Sequence, residues 1–391
     1  MNINKPVFFV LIIYPLLIII LCYFYVTCYG IGQFEIIFSL LGYYVSNIVV
    51  GIGLHRLWSH DSYKTNSFVE FILAIFAAGT LQGPVLIWAS NHFKHHTYTD
   101  TDKDPHSPKK YENKLFGFLW SHIGWMIFDN ESHKSISRIT LVKLGRKKIL
   151  RWQLHYYWHI AIFMNLLLPL AIGYMIGGKY QYAFAAFIFV GIGRSIQQQA
   201  TFLVNSICHF VGSQKYTEGS SRDIWWLFFL LLGENWHNFH HAFPNDYRNG
   251  PKWYHLDIHK WIIYTMSVIG IAWDLKKTAS VRVEAKIGKT TAKFLSIKME
   301  KIFIMRSKVN TMINNVQNWI QELDHSSDEL RNNFNKSLGE LLSSLNKITG
   351  LLSNFKNPSE KIIGAIAKQI NHYETRLKSM YVDFEKLRSY A

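Results

Sequence analysis

The sequence predicts an all-α integral membrane protein. It should have four transmembrane helices in two hairpins, a cytosolic helical cap carrying a histidine-rich metal site, and a C-terminal helical tail. Three observations predict this. Four long apolar runs are nearly free of charge, basic residues are spread unevenly over the loops that join them, and histidines recur in tight boxes near the ends of the runs. Composition agrees, since 49% of the 391 residues are hydrophobic and 16% aromatic. The mean hydropathy is only +0.04 because a polar C-terminal third dilutes a very apolar front.

The first run, about 7–29, is longer than the ~7–15 apolar residues of a signal peptide and meets the ~20 that a membrane helix needs. After a short turn at 30–35, the second span, 36–54, delivers His55 at its end. Spans at 158–176 and 182–204, joined by Gly177-Gly178-Lys179, form the second hairpin and deliver Asn205 and His209. The loop between the hairpins, 55–154, holds 14 Lys and Arg, against none in the turn at 30–35 and one in the turn at 177–181. Lys and Arg are retained on the cytoplasmic side, so both termini and every histidine box should be cytoplasmic, at a bacterial inner membrane or the endoplasmic reticulum. The same retention accounts for the formal net charge of +16, and no nucleic-acid partner is implied.

Two further apolar segments are not read as spans. Crossing at 68–90 would separate His55 and His60 from His92 by about 30 Å, and no shared metal site survives that. Gly79, Gly83 and Pro84 also interrupt the segment, so it should lie on or dip into the membrane. The segment 224–233 is too short to span and should pack under the metal site. Arg194 and Gln197-Gln198-Gln199 interrupt the fourth span, and polar groups there should face inward and pair internally. From about 278 apolar residues recur at helical spacing, as in Ile313, Val316, Ile320 and Leu323. Capping signals at 326–329 and 357–360 give helices at roughly 283–323, 327–355 and 358–388. The domains are therefore 1–277 and a tail, 278–391, that packs on itself.

The histidines carry the chemistry. The run 235–241 reads NWHNFHH and places His237, His240 and His241 at i, i+3 and i+4. On a helix these offsets fall at about 300° and 400°, so the rings crowd one side. His92, His95 and His96 repeat the spacing, and HRLWSH adds His55 and His60. Imidazole is a common metal donor, and eight of them in three boxes indicate a polynuclear centre. His55 and His60 are about 140° apart on an ideal helix, so the helix should bend or end between them. Three cysteines, Cys22, Cys28 and Cys208, cannot hold a four-thiolate cluster and give no disulfide framework.

At these residues the chain resembles the membrane fatty-acyl desaturases of the stearoyl-CoA Δ9 type, over about 36–276. The resemblance rests on HRLWSH (55–60), HFKHH (92–96), DPHSP (104–108), SHIGW (121–125), NSICH (205–209), GENWHNFHHAFPNDYRNG (233–250) and AWDLK (272–276). It implies a di-iron centre bound by His55, His60, His92, His95, His96, His209, His237, His240 and His241, with Asn205 holding a water on one iron. It implies oxygen as co-substrate, a cis double bond as product, and two electrons from a separate donor, a b-type cytochrome or a ferredoxin with its reductase, since no His-Pro-Gly-Gly motif of a fused cytochrome occurs. Gln82, Trp88, Thr201 and Phe202 should shape the bend of a long-chain acyl-CoA, and Tyr43 and Asn47 should close the far end. His106 and His122 belong to matched motifs and stand as candidates for the outer shell. His133, His155, His159, His255, His259, His325 and His372 read as surface or packing residues.

The residue types suit the reaction, because an unactivated methylene has no acidic proton for a side-chain base and requires redox chemistry. The chain departs from acyl-CoA desaturases at the head group. Phe93 stands where Arg is typical, and Met126 to Glu131 carries two acids where a basic run is expected. Lys109, Lys110, Lys114, Lys134 and Arg138 are the nearby substitutes. An acyl chain esterified in a phospholipid, or carried on acyl-carrier protein, is the alternative substrate. A hydroxylase using the same boxes, a metal transporter with histidines along its spans, and a scaffold acting through its tail are the competing functions. Hydroxylated product would favour the first, the histidines cluster at span ends against the second, and no box residue is missing as the third would allow.

Overall fold

The computed structural model describes residues 2–128 and 135–294 without a break, and scattered residues from 296 to 382. It divides into two compact units, Met1–Glu284 and Ala285–Ala391. Every described residue of the second unit is helical. The expected capping signals at 326–329 and 357–360, and most of the three tail helices, lie outside the described residues.

In the first unit three helices are long and apolar enough to cross a membrane: Lys5–Tyr29, Gln33–Ser59 and Tyr157–Gly177. The first begins at Asn4, whose side chain accepts from the Val7 N–H, with proline in the first turn where no donor is lost. It ends at Gly30, whose φ of +76° only glycine adopts freely. Glu35 opens the second helix by accepting from the Gly32 N–H at 2.9 Å, and its other oxygen takes the Tyr25 hydroxyl at 2.7 Å, which clips the hairpin shut. The expected fourth span is a continuous 26-residue helix, Tyr180–Asn205. Its polar half keeps it outside the apolar class, and those polar groups are indeed turned inward. Arg194 is buried with its guanidinium 4.7 Å from the Tyr14 ring centroid, and the Gln198 amide donates to the Thr80 carbonyl at 3.1 Å.

The second and fourth helices cross at glycines. A Cβ on Gly193 would stand 1.9 Å from the Ser39 carbonyl oxygen, and one on Gly42 would stand 2.4 Å from that of Val190. Only backbone hydrogens fit there, the close approach on which helix packing in a bilayer depends.

Segment 68–90 does break where Gly79, Gly83 and Pro84 predicted. Ser67–Gly79 is followed, after a turn, by Val85–Tyr98. Thirteen residues of helix reach only about 20 Å, too short to cross. One departure from the all-α expectation is a small antiparallel ribbon in which Lys64 pairs with Trp273 and Thr65 with Ala272. It ties the start of the AWDLK segment to the chain just after His60. The core beneath the histidines gathers Leu54, Trp58, Tyr63, Leu86, Leu150 and Ile263.

Candidate metal centre

Four pieces of chain bring the nine histidines together. His55 lies in the last part of the second helix, where residues Val49–Ser59 wind as a π-helix, and His60 caps it with its N–H on the His55 carbonyl at 3.1 Å. The expected end between them is found at Ser59, and the π winding of the last turns adds what the spacing did not show: an i→i+5 ladder takes five residues to close one turn, so both rings come to one face. His92, His95 and His96 come from Val85–Tyr98, and His209 from the short turn Ile207–His209 beyond Asn205. His237, His240 and His241 come from the six-residue helix His237–Ala242.

The rings form two groups. Ligand nitrogens of His55, His60, His92, His96 and His240 lie within 4.8 Å of one another, and so do those of His95, His209, His237 and His241. Each H-x-x-H-H box therefore serves both groups, rather than crowding its three rings into one. The i and i+4 rings share a group, and the i+3 ring, about 100° away from i+4, reaches the other. Across the first group the Nε2 atoms of His55 and His240 are 3.0 Å apart, those of His240 and His96 2.9 Å, and those of His60 and His92 2.6 Å. Across the second, His209 and His237 meet at 3.0 Å, His237 and His241 at 3.0 Å, and His95 and His241 at 3.2 Å.

Behind the rings stands a shell of polar partners. His55 Nδ1 lies 2.8 Å from Glu234 Oε2, His95 Nδ1 lies 3.0 Å from Asp104, and His209 Nδ1 lies 2.6 Å from the Ser220 hydroxyl. An acceptor at Nδ1 keeps the proton there and turns an Nε2 lone pair toward the centre. Glu234 also accepts from Arg56 at 3.1 Å, His259 at 3.0 Å and Asn249 at 2.7 Å. Asp257 takes Arg56 at 2.9 Å and the Gly250 N–H at 3.0 Å, closing the network. Burial acts to raise Glu234, but the facing His55 ring, the Arg56 charge and the bond from His259 outweigh it and hold the carboxyl well below its usual range. Burial, reinforced by neighbouring imidazoles, pushes His60, His92, His96, His209, His237, His240 and His241 well below 6.5. These rings are neutral, the form that binds a metal.

This shell escaped the sequence reading. Glu234 and Asn249 lay inside the quoted GENWHNFHHAFPNDYRNG segment, and Asp104 inside DPHSP, but a carboxylate behind an imidazole has no spacing rule to reveal it. His259, read as surface or packing, is buried against Glu234. His255 stacks on Trp236 with centroids 3.9 Å apart, while His155, His159 and His372 are exposed. His133 and His325 lie outside the described residues. His106 stacks beside His95 with centroids 4.1 Å apart, whereas His122 turns away to Ser206 at 3.0 Å and Gln199 at 3.2 Å.

A cavity of about 610 Å³ abuts the first group. His92, Gln82, Trp88, Thr201, Phe202 and Asn205 all line it. Trp88 stacks on His92 with centroids 5.0 Å apart and donates to Gln82 at 3.4 Å. Tyr43 and Asn47 stand apart from this wall, both donating to the Leu230 carbonyl at 2.7 Å. The expected substitute bases also stand apart. Lys109 is taken by Asp100 at 3.2 Å, Lys110 lies over the Trp120 ring, and neither they nor Lys114 and Arg138 line the cavity. Lys134 and residues 129–131 lie outside the described residues.

Fold and site together define a helical membrane protein in which two buried histidine groups lie side by side and the first meets a mostly apolar cavity through His92. The chain belongs to the fatty acid desaturase family, whose pattern it matches over residues 33–267. It is similar to the "Probable acyl-CoA desaturase" of Schizosaccharomyces pombe, with 37% identity over 242 residues, 61% of this chain and 48% of that protein. It is similar also to "Acyl-CoA desaturase 1" of Saccharomyces cerevisiae, with 34% identity over 269 residues, 68% of this chain and 51% of that protein. "Delta-9 acyl-lipid desaturase 1" of Arabidopsis thaliana is 34% identical over 241 residues, 61% of this chain and 74% of that protein. The chain spans about half the length of the two yeast relatives.

Proposed function

We propose that this protein is an oxygen-dependent desaturase that introduces a cis Δ9 double bond into a long-chain saturated acyl-CoA. The observation that carries the reading is the pair of buried histidine groups set against an apolar cavity through His92. Convergent neutral lone pairs repel one another unless a cation lies among them, so the donor set fits a metal pair. His55, His60, His92, His96 and His240 would hold one ion and His95, His209, His237 and His241 the other, with Asn205 holding a water. All-imidazole sites suit iron, zinc and copper alike. Iron follows from the redox demand, since an iron pair supplies the oxygen activation and one-electron steps that an unactivated methylene requires.

The protein's share is placement. Neutral rings with fixed tautomers leave the centre strongly positive, and Glu234 and Asp104 orient them from behind. Trp88 and Phe202 press the acyl chain toward His92, and the bonds from Gln82 to Thr201 and Gln197 hold that wall. An apolar cavity excludes bulk water, which protects oxidising equivalents from side reactions. In balance, one oxygen molecule, two electrons and two protons remove two hydrogens from adjacent methylenes and leave two waters. The electrons would come from a b-type cytochrome or a ferredoxin. Four spans, with Tyr180–Asn205 the fourth, would place both termini and the histidines on the cytoplasmic side, as the 14 basic residues of 55–154 support. Expression in a host that cannot desaturate, with double bonds located in its lipids by mass spectrometry, tests the reading. New Δ9 monoenes support it, and hydroxylated chains instead would replace it.

A further inference from the structure

The family match covers residues 33–267, yet part of the cavity wall precedes it. Lys5, Val7, Val10 and Leu11, from the first turns of the first helix, line the cavity together with Tyr157 and Trp158 from the third. The start of this helix is held in place, because Asn4 donates its backbone N–H to the Ile127 carbonyl at 2.9 Å. Two other wall residues, Ile3 and Trp158, are 49% and 48% exposed, and Lys5 is exposed beside them. These side chains mark the mouth. Among the described residues Lys5 is the one Lys or Arg on the wall, no Asp or Glu lines it, and Lys5 makes no ion pair.

Among the described residues the wall is thus mostly apolar, with Gln82, Thr201 and Asn205 among its polar members, and carries a single free cation at its rim. An acyl chain bound as a thioester or ester has no carboxylate charge left, so an anion at the rim must belong to the carrier. The anion that coenzyme A and phospholipids share is phosphate. Of the bases near the second histidine box, Lys109 is paired with Asp100, Lys143 lies 4.7 Å from the Phe93 ring centroid, and neither they nor Lys94 line the cavity. We propose that Lys5 is the head-group determinant of this cavity: its ammonium takes a phosphate of the acyl carrier while the chain runs inward past Val7 and Val10 to His92. This rests on the desaturase reading and adds to it a specificity residue that lies before the family-matched segment.

The test compares wild type, K5R, K5A and K5E, full length and metal-loaded. Equilibrium binding is measured for three unreactive probes: stearyl-CoA thioether, a stearoyl phospholipid in micelles, and the phosphate-free stearyl N-acetylcysteamine thioether. K5E should weaken the phosphate-bearing probe that wild type binds by about tenfold and K5A by roughly threefold, with K5R near wild type. The phosphate-free probe should be unmoved, and the difference should shrink as salt rises. Which of the two phosphate probes responds identifies the carrier. In turnover, K5E should raise KM and leave kcat and metal content alone. K5E indistinguishable from wild type on both phosphate probes, or an equal loss on the phosphate-free one, would overturn the proposal while wild-type desaturation stands. Absence of any desaturated product from wild type would overturn the desaturase reading and this inference with it.

Discussion

Glu234→Gln tests the shell that orients the first histidine group. The carboxylate makes four close contacts, with His55 and Asn249 on one oxygen and with Arg56 and His259 on the other. An amide has one oxygen and one NH2, so either orientation turns a donor toward two donors. Each buried donor left unpaired costs about 1–3 kcal/mol, and Arg56 keeps only Asp257 as counter-charge. The variant should therefore unfold at lower temperature. The charged Arg56 holds the amide oxygen, so the NH2 faces His55, and loss of such a partner typically weakens a metal site by about 10–100-fold, or ~1.4–2.8 kcal/mol. The second group is spared, because its rings lean on Asp104 and Ser220. After dialysis against a mild chelator, elemental analysis should show bound metal falling from about two ions per chain toward one. Retention of both ions with wild-type affinity would refute the reasoning.

Ser220→Ala should do the converse, weakening the group that contains His209 while His55 and its neighbours keep their ion, as the same assay would show. Replacing His60 or His237 by Ala should abolish desaturation and remove one ion each; activity retained in both would defeat the two-group assignment. The pH dependence has a definite sign. Histidines held below 6.5 in the folded state leave the unfolded chain with more bound protons under acid conditions, so metal-free protein should be fully stable above about pH 6.5 and lose stability as the pH falls, by at most ~1.4 kcal/mol per pH unit for each such ring. A flat stability profile between pH 7 and 5 would contradict it. A chain ending at Glu284 should still insert, bind metal and turn over, whereas ending at Lys277 removes the bond from the Thr278 N–H to Asp246 at 2.8 Å. Gly233→Ala should fail to load the first group, because φ is +130° there and its Cβ would meet Asp257 at 2.2 Å.

What was legible in the sequence was whatever has a period or a length. Apolar runs gave the helices within a few residues, and Gly79, Gly83 and Pro84 gave the break in 68–90. The H-x-x-H-H spacing located the rings but not their partition, since a one-dimensional offset tells which face a ring occupies and not which neighbouring helix meets it. The π-helix before His60 was invisible for a related reason: hydrophobic periodicity assumes an α ladder, and only the shared demands of the two rings show it being widened. Glu234, Asp257 and Asn249 come from loops whose backbone is set by tertiary contacts, so their convergence on Arg56 and His55 could not be read from order. The cavity wall at Lys5 was hidden because the first helix looked like a plain membrane anchor. Residues 3–11 meet the site only once the fold brings residues 4 and 127 together.

The central claim is most directly tested with purified, iron-loaded protein given oxygen, a reduced electron donor and stearoyl-CoA, with products resolved by mass spectrometry. The account predicts an 18-carbon acyl chain with one cis double bond at Δ9, formed only when both histidine groups hold metal. Hydroxylated product, or no product from fully metallated protein offered either stearoyl-CoA or a stearoyl phospholipid, would contradict it.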